Sequence, residues 1–227
     1  MGRSARWTLV VTAVLVMVSA VGGPVAAQGE ALYLTKFLDP AEDASEWGFP
    51  EGATEVTEDG YTAAFTEGAL TVTLDGAPNA WLYPDDLELP ADQAVEARIA
   101  SSTGDDSALF GVACRADLPS VGYVFLVGID GYYTIGRYDR GTGKAIVNAK
   151  GTKRTDAVDP EGFNIVRGEC VGKKKVTLTL SVNGEKVASF VDKKPPKRVG
   201  SNATVVTEVA DGETTTAEFT GFAVNGL

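Results

Sequence analysis

The sequence predicts an all-β protein in which two antiparallel sheets pack face to face. Helical periodicity is nearly absent beyond the N-terminal segment, and short runs of β-branched and aromatic residues recur between Gly, Pro, Asn and Asp. Many short strands with regular turns favour a two-sheet sandwich. The predicted strands are 61–66, 69–74, 80–83, 94–101, 107–115, 122–129, 132–138, 144–150, 163–170, 175–182, 185–191, 203–209 and 214–224.

The N-terminus has the organisation of a secretory signal peptide. Two arginines precede an apolar run at 9–20, and the small residues Val25 and Ala27 lie three and one positions before a cleavage point. The run is shorter than the roughly 20 residues of a membrane span. We therefore expect a signal peptide at 1–27, a secreted extracellular chain at 28–227 without a transmembrane segment, and a single sandwich domain.

The segment 28–58 is expected to be an entry segment followed by a long loop. Its part at 39–58 is acidic and has no strand pattern. Trp47 and Phe49 lie within it, and two large aromatic side chains need burial. We expect the loop to be packed down by these two rings.

Two dipeptides predict tight hairpin turns, since Asn-Gly and Asp-Gly tolerate the positive φ angles of a type I′ turn. Asn183-Gly184 is one, and Asp130-Gly131 is the other. A two-residue loop at Asp130-Gly131 pairs Ile129 with Tyr132. One face of that hairpin then carries Tyr123, Phe125, Val127, Ile129, Tyr132, Thr134, Gly136 and Tyr138, and the other carries Val124, Leu126, Gly128, Tyr133, Ile135 and Arg137.

The two cysteines, Cys114 and Cys170, are predicted to form a disulfide. An even cysteine count in a secreted chain favours pairing, and closing a loop of this length stabilises the fold by roughly 4 kcal/mol in the chain-entropy model. A catalytic thiol would need a cationic or imidazole partner, and the chain contains no histidine.

Composition limits the partners and the chemistry. The formal net charge is −11, which disfavours nucleic acid as a partner. The absence of histidine excludes a Ser/His/Asp triad and the usual zinc-protease motif.

Three stretches of the chain together resemble a known superfamily. They are FGVACRADLPSVGYVFLVGIDGYYTIGRYD, GFNIVRGECVGKKKVTLTLSVNGEKVASFVD and AEFTGFAVNG. Their strands, turns and cysteine pair resemble the concanavalin A-like lectin/glucanase superfamily, and within it the laminin-G-like jelly rolls of secreted bacterial proteins. The resemblance implies a jelly-roll sandwich with one convex and one concave sheet, the concave one serving as a ligand groove.

The resemblance implies an extracellular glycan or another cell-envelope component as partner. Tyrosine suits sugar binding because its ring is flat and apolar and its tip is polar. We therefore expect Tyr123, Phe125, Tyr132 and Tyr138 to bind ligand on the concave sheet. The alternative is that these rings pack beneath a loop such as 39–58.

A non-catalytic binding module is the expected function. The glucanase branch of the superfamily carries a Glu-x-Asp-x-Glu strand, and this chain lacks that pattern. Two alternatives stay open: a protein-interaction or structural domain of the cell envelope, and a glycoside hydrolase that assembles its carboxylates from distant strands. No catalytic residue is assigned.

No cofactor or metal is expected, with calcium as the alternative. Jelly rolls of this kind often hold calcium in a loop, through Asp side chains and backbone carbonyls. Donors would come from Asp85-Asp86, Asp105-Asp106 or Asp130. These acids lack the ordered ligand spacing of an EF-hand loop.

Overall fold

A computed structural model describes residues 31–77, 79–85, 87, 89–104, 108–117, 121–139, 142–196, 202–208 and 213–227. Within these, only the backbone is described at 101–104, 202–204 and 206. The predicted signal peptide lies outside the described residues. In the part of the chain that is described, no helix is both long enough and apolar enough to cross a membrane.

One short helix and fifteen strands make up the described secondary structure. In chain order they are β1 (Ala31–Thr35), α1 (Pro40–Glu46), β2 (Glu55–Glu58), β3 (Tyr61–Thr66), β4 (Ala69–Asp75), β5 (Asn79–Leu82), β6 (Gln93–Gly104), β7 (Leu109–Asp117), β8 (Val121–Val127), β9 (Tyr133–Asp139), β10 (Thr142–Val147), β11 (Asn164–Val171), β12 (Val176–Val182), β13 (Glu185–Asp192), β14 (Asn202–Glu208) and β15 (Thr214–Gly226).

The strands form two antiparallel sheets. The nine-stranded sheet has the order β13-β12-β11-β6-β15-β4-β3-β2, with β1 added alongside β15. The six-stranded sheet has the order β10-β9-β8-β7-β14-β5. The predicted all-β sandwich is therefore confirmed.

The core lies between the two sheets, and alternate side chains along the strands point into it. On β12 the side chains of Val176, Leu178, Leu180 and Val182 are fully buried, whereas the threonines and the serine between them are not. This is the period-two pattern of a strand with one face in a core. β8 departs from it, because all seven of its residues are buried and both of its faces are covered.

A disulfide joins the two sheets inside this core. Cys114 on β7 is bonded to Cys170 on β11, and their Cα atoms are 6.5 Å apart. Both residues are fully buried. The predicted pairing is confirmed, and the bond links strands of opposite sheets.

The Asn183-Gly184 turn forms as predicted. Val182 pairs with Glu185, which leaves a two-residue loop. Asn183 has a φ of 51° and Gly184 a φ of 81°, as a type I′ turn requires. The Asn183 amide also donates to the Ala157 carbonyl oxygen at 2.8 Å, which fixes the hairpin against the preceding loop.

The N-terminal segment is more regular than the sequence predicts. The part predicted as a loop contains α1 and β2, and β1 precedes them. Asp39 caps the helix by accepting hydrogen bonds from Ala41 and Glu42, and Pro40 starts its first turn. The predicted packing of Trp47 is confirmed, since its ring is buried and meets Phe222 edge to face at 5.3 Å. Seven residues are too few to give a readable helical period.

Candidate functional site

The β8–β9 hairpin has a register that differs from the predicted one. The Gly128 amide donates to the Tyr132 carbonyl, and Val127 pairs with Tyr133. The loop is therefore three residues long, 129–131, and ends in Gly131 with a φ of 79°. Such a loop is a tight turn followed by one left-handed residue. The Asp130 side chain holds it by accepting from the Tyr132 amide at 2.8 Å.

This one-residue change moves the side chains of β9 to the opposite face relative to β8. Phe125 pairs with Ile135 and Tyr123 with Arg137, and these residues face the sheet-to-sheet core. The prediction that Tyr123, Phe125, Tyr132 and Tyr138 share one ligand-binding face is wrong. Tyr123 and Phe125 are 2% and 0% exposed, so they serve as core residues.

Tyr123 ends in a buried polar cluster at one edge of the core. Its hydroxyl donates to Asp192 Oδ2 at 3.0 Å, and Arg137 binds the same oxygen at 3.0 Å. The Lys194 amide donates to the other carboxylate oxygen at 2.8 Å. Burial by itself would raise the pKa of Asp192, but these hydrogen bonds outweigh it and lower the pKa below its ordinary value. Burial raises the pKa of Tyr123. The cluster is structural, because it is enclosed between the sheets.

The outward face of the six-stranded sheet carries the candidate site. Its central strands present small or aliphatic side chains, of which Ala113, Val124 and Leu126 are buried although they point away from the core. Trp81, Leu109 and Tyr138 pack against them. Apolar residues on an outward sheet face indicate that something covers that face. Here the rings of the outer strands provide part of the cover.

The contact between Trp81 and Tyr138 shows that this face is concave. Trp81 lies on β5 and Tyr138 on β9, with three strands between them. On a flat sheet, four strand spacings of about 4.8 Å would place them roughly 19 Å apart, with side chains standing nearly perpendicular. Their ring centroids are 4.9 Å apart in an edge-to-face arrangement. The sheet therefore curves toward this side, and we call this surface the concave face.

Two polar groups lie beside the aromatic pair. The Tyr138 hydroxyl donates to Glu208 Oε1 on β14 at 3.4 Å, and the Trp81 ring nitrogen donates to Asn79 Oδ1 at 2.9 Å. Burial raises the pKa of Glu208, and the Tyr138 hydrogen bond opposes that rise. Burial, followed by the charge and hydrogen bond of Glu208, raises the pKa of Tyr138 to about 12. The concave face thus combines an edge-to-face ring pair with a carboxyl whose pKa is raised by burial.

Glycines make room for these rings. A Cβ atom at Gly143 would lie 2.7 Å from Tyr138 Cζ, and one at Gly136 would lie 2.6 Å from a methyl group of Val124. Gly143 of β10 therefore leaves the space that the Tyr138 ring occupies, and Gly136 of β9 leaves space for Val124 beneath the rings. Sequence analysis placed Trp81 on a strand but gave no signal that β5 lies in the same sheet as β9.

Tyr132 immediately precedes β9 and, by strand alternation, shares the outward side with Tyr138 at the opposite end of the strand. Its backbone bridges to Arg154, whose guanidinium is 5.1 Å from the centre of the Tyr132 ring. Arg154 also forms an ion pair with Asp130 at 2.9 Å. The ion pair and the cation–π contact hold this loop in place, and neither of them involves Tyr138.

The described residues contain no group of three or more His, Cys, Asp or Glu side chains arranged to hold a metal ion. Of the candidate calcium donors, Asp130 is engaged by Arg154 and by the Tyr132 amide. Asp86, Asp105 and Asp106 lie outside the described residues. Calcium binding therefore stays an open alternative.

The architecture is a two-sheet antiparallel β-sandwich of the jelly-roll type, which is the fold that the sequence resemblance implied. An endo-acting O-glycanase of the human gut microbiota, described as initiating mucin breakdown, has a similar structure, with a TM-score of 0.57, 10% identity, and coverage of 87% of this chain and 100% of that one. A non-specific endo-β-1,3(4)-glucanase of family GH16 gives a TM-score of 0.56 and 12% identity, over 89% of this chain and 92% of that one.

A third similar structure is the xylan β-1,4-xylosidase of Bacillus halodurans, with a TM-score of 0.53 and 9% identity over 92% of this chain. This chain spans 41% of the xylosidase's length. No family model matches the sequence, and no curated protein matches it either. At these identities the similarity shows a shared fold.

Proposed function

We propose that this protein is a secreted glycan-binding module whose ligand lies across the concave face of the six-stranded sheet. Trp81 and Tyr138 are the stacking residues of that site, and Glu208 and Asn79 are its polar partners. Of the four aromatic residues expected from the sequence, Tyr138 is the one that belongs to this site.

The observation that carries the proposal is the pair of rings that meets across three strands on an outward face. Both rings are half-buried and are open to solvent in part. Pyranose rings have apolar C–H faces and polar edges, so flat rings bearing an N–H or an O–H match them. Solved structures with this fold include an O-glycanase and an endo-glucanase, which makes glycans the first ligand class to test.

A glycan array with the purified protein, with and without calcium, tests the proposal. Binding to a defined glycan should be lost in Trp81→Ala and in Tyr138→Ala and kept in the matched control Tyr61→Ala, whose ring lies on β3 of the other sheet. Binding that appears only with calcium would assign a metal to the site. A folded protein that binds no glycan would instead favour an interaction or structural role in the cell envelope.

One observation favours glycoside hydrolysis as a second candidate. Glu208 is a carboxyl whose pKa burial raises, which is a property of a general acid in a glycosidase. A hydrolase would lose turnover of the bound glycan in Glu208→Gln while still binding it. If the wild-type protein binds a glycan but releases no reducing ends from it, the binding module is the better assignment.

A further inference from the structure

A second groove lies on the opposite side of the molecule, on the outer face of the nine-stranded sheet. It has a volume of about 230 Å³ and lies over β15, between β1 on one side and β6 and β11 on the other. We call it the outer groove. The residues that line it are Leu34, Thr35, Lys36, Glu96, Arg98, Ile165, Thr220, Gly221, Phe222 and Ala223.

The strand register explains why a groove forms here. Ala223 pairs with Leu34 on one side and with Glu96 on the other, while Gly221 pairs with Arg98. Small residues on β15 therefore lie between rows of long side chains on both neighbouring strands. A Cβ atom at Gly221 would make only ordinary contacts, the nearest at 3.7 Å to the Thr35 carbonyl oxygen, so the floor of the groove has room for a methyl group.

The lining of the groove carries two cations and one acid. The guanidinium of Arg98 lies over the ring of Phe163 at 3.9 Å, and neither Arg98 nor Lys36 has a carboxylate partner within 4.0 Å among the described residues. The acid, Glu96, lies 3.6 Å from Arg167, which also binds Glu169 at 3.0 Å. A guanidinium held flat in this way is suited to bind a carboxylate through two parallel hydrogen bonds.

Aliphatic side chains flank this charge. Leu34 on β1 and Ile165 on β11 line the groove and offer apolar surface. Thr220 also lines the groove, but its hydroxyl oxygen has no accessible surface and is closed to a ligand.

We infer that the outer groove binds a sugar acid, a single pyranose ring that bears a carboxylate. The carboxylate would bind between Arg98 and Lys36, and the C–H faces of the ring would contact Leu34 and Ile165. The volume is below the roughly 300–1,000 Å³ of pockets for drug-sized ligands, which limits the occupant to one ring. The inference does not depend on the concave face.

Titration of the isotope-labelled full chain by NMR tests this inference, with D-glucuronate and D-galacturonate as probes and D-glucose, D-galactose and acetate as matched controls. We expect the uronates to shift amide signals of β1, β6 and β15. We expect each control to bind about tenfold more weakly or worse, because it lacks either the carboxylate or the ring.

Variants locate the site. Arg98→Gln should weaken uronate binding about tenfold, and Gly221→Leu should block it by filling the floor. Gly221→Ala, whose methyl group has only ordinary contacts, is the milder variant if the leucine prevents folding. Lys186→Gln removes an exposed cation of β13, at the far edge of the same sheet, and should leave binding unchanged, as should Trp81→Ala on the concave face.

Three results would overturn the inference. They are a folded protein that does not respond to millimolar uronate, acetate binding as tight as uronate binding, and equal weakening by Lys186→Gln and Arg98→Gln. Tighter binding of a peptide carboxylate than of either uronate, lost in Arg98→Gln, would also reject the sugar assignment.

Discussion

The two faces of β8 are both buried, but by different means. On the inward face, Tyr123 and Phe125 are enclosed by the opposite sheet, a disulfide and the Asp192 cluster. On the outward face, the side chains that pack on Val124 and Leu126 include Trp81 and Tyr138, which come from other strands of the same sheet. The inward cover is the fold itself, whereas the outward cover consists in part of side chains that can rotate. Changes on the inward face should therefore cost stability, and changes on the outward face should cost binding.

Truncating the inward face should have the largest effect. Phe125 is fully buried, and its ring lies over Gly168 of the opposite sheet, where an added Cβ would be 2.3 Å from Phe125 Cδ2. Phe125→Ala should lower the free energy of unfolding by about 3–5 kcal/mol, because it leaves a cavity between the sheets. Urea unfolding measures this. A loss below about 1 kcal/mol would show that the inward face is as loosely covered as the outward one.

The disulfide should have the next largest effect. Cys114→Ala combined with Cys170→Ala removes the covalent link between the sheets and should cost about 2–4 kcal/mol. Thermal unfolding of the double variant, with reduced wild type as the comparison, measures the loss. Glycan binding at low temperature should survive, since the bond lies on the core side of β7. Lost binding by a folded double variant would show that the two faces are coupled.

The Asp192 cluster should make the inward face sensitive to acid. Because hydrogen bonds from Lys194, Arg137 and Tyr123 lower the pKa of Asp192 in the folded state, its contribution is present above the ordinary Asp pKa. That contribution is lost as the pH falls through the lowered folded value. Asp192→Asn should cost about 1–3 kcal/mol at neutral pH and flatten the acid limb of the stability profile. A variant that keeps the wild-type acid limb would assign that limb to other carboxylates.

On the outward face, Trp81→Ala should reduce binding more than it reduces stability. We expect a stability loss of only about 1–2 kcal/mol, because the ring is half-buried and water can enter its place. Glycan retention should nevertheless be abolished. If Trp81→Ala unfolds the protein as Phe125→Ala does, the ring belongs to the core and the contrast between the two faces fails.

The smallest effect is expected for Tyr138→Phe, which removes one long hydrogen bond and keeps the ring. The stability change should be about 1 kcal/mol or less. The pKa of Glu208 should rise further, because the Tyr138 hydroxyl donates to the carboxylate and thereby lowers that pKa. NMR titration of the Glu208 side chain detects the change. A pKa that stays constant would mean that the 3.4 Å contact does not act on Glu208.

Sequence analysis located the individual strands and turns better than the site. The Asn183-Gly184 turn could be predicted because the conformation of two adjacent residues sets it. The same reasoning failed at Asp130-Gly131, where the Asp130 carboxylate and its ion pair with Arg154 support a loop one residue longer. The additional loop residue turned the side chains of β9 to the opposite face of the sheet. The four predicted ligand-binding aromatic residues therefore do not share one face.

The sequence by itself determined the β class, the two-sheet sandwich and the cysteine pairing. Residue periodicity is a local property of the chain, and two cysteines allow only one pairing within it. Only the tertiary structure decided which rings meet. Trp81 and Tyr138 are neighbours because the sheet curves. Gly221 forms the floor of a groove because three other strands align beside β15. Curvature and strand order arise from packing between segments that are distant in the chain, so no local sequence pattern predicts them.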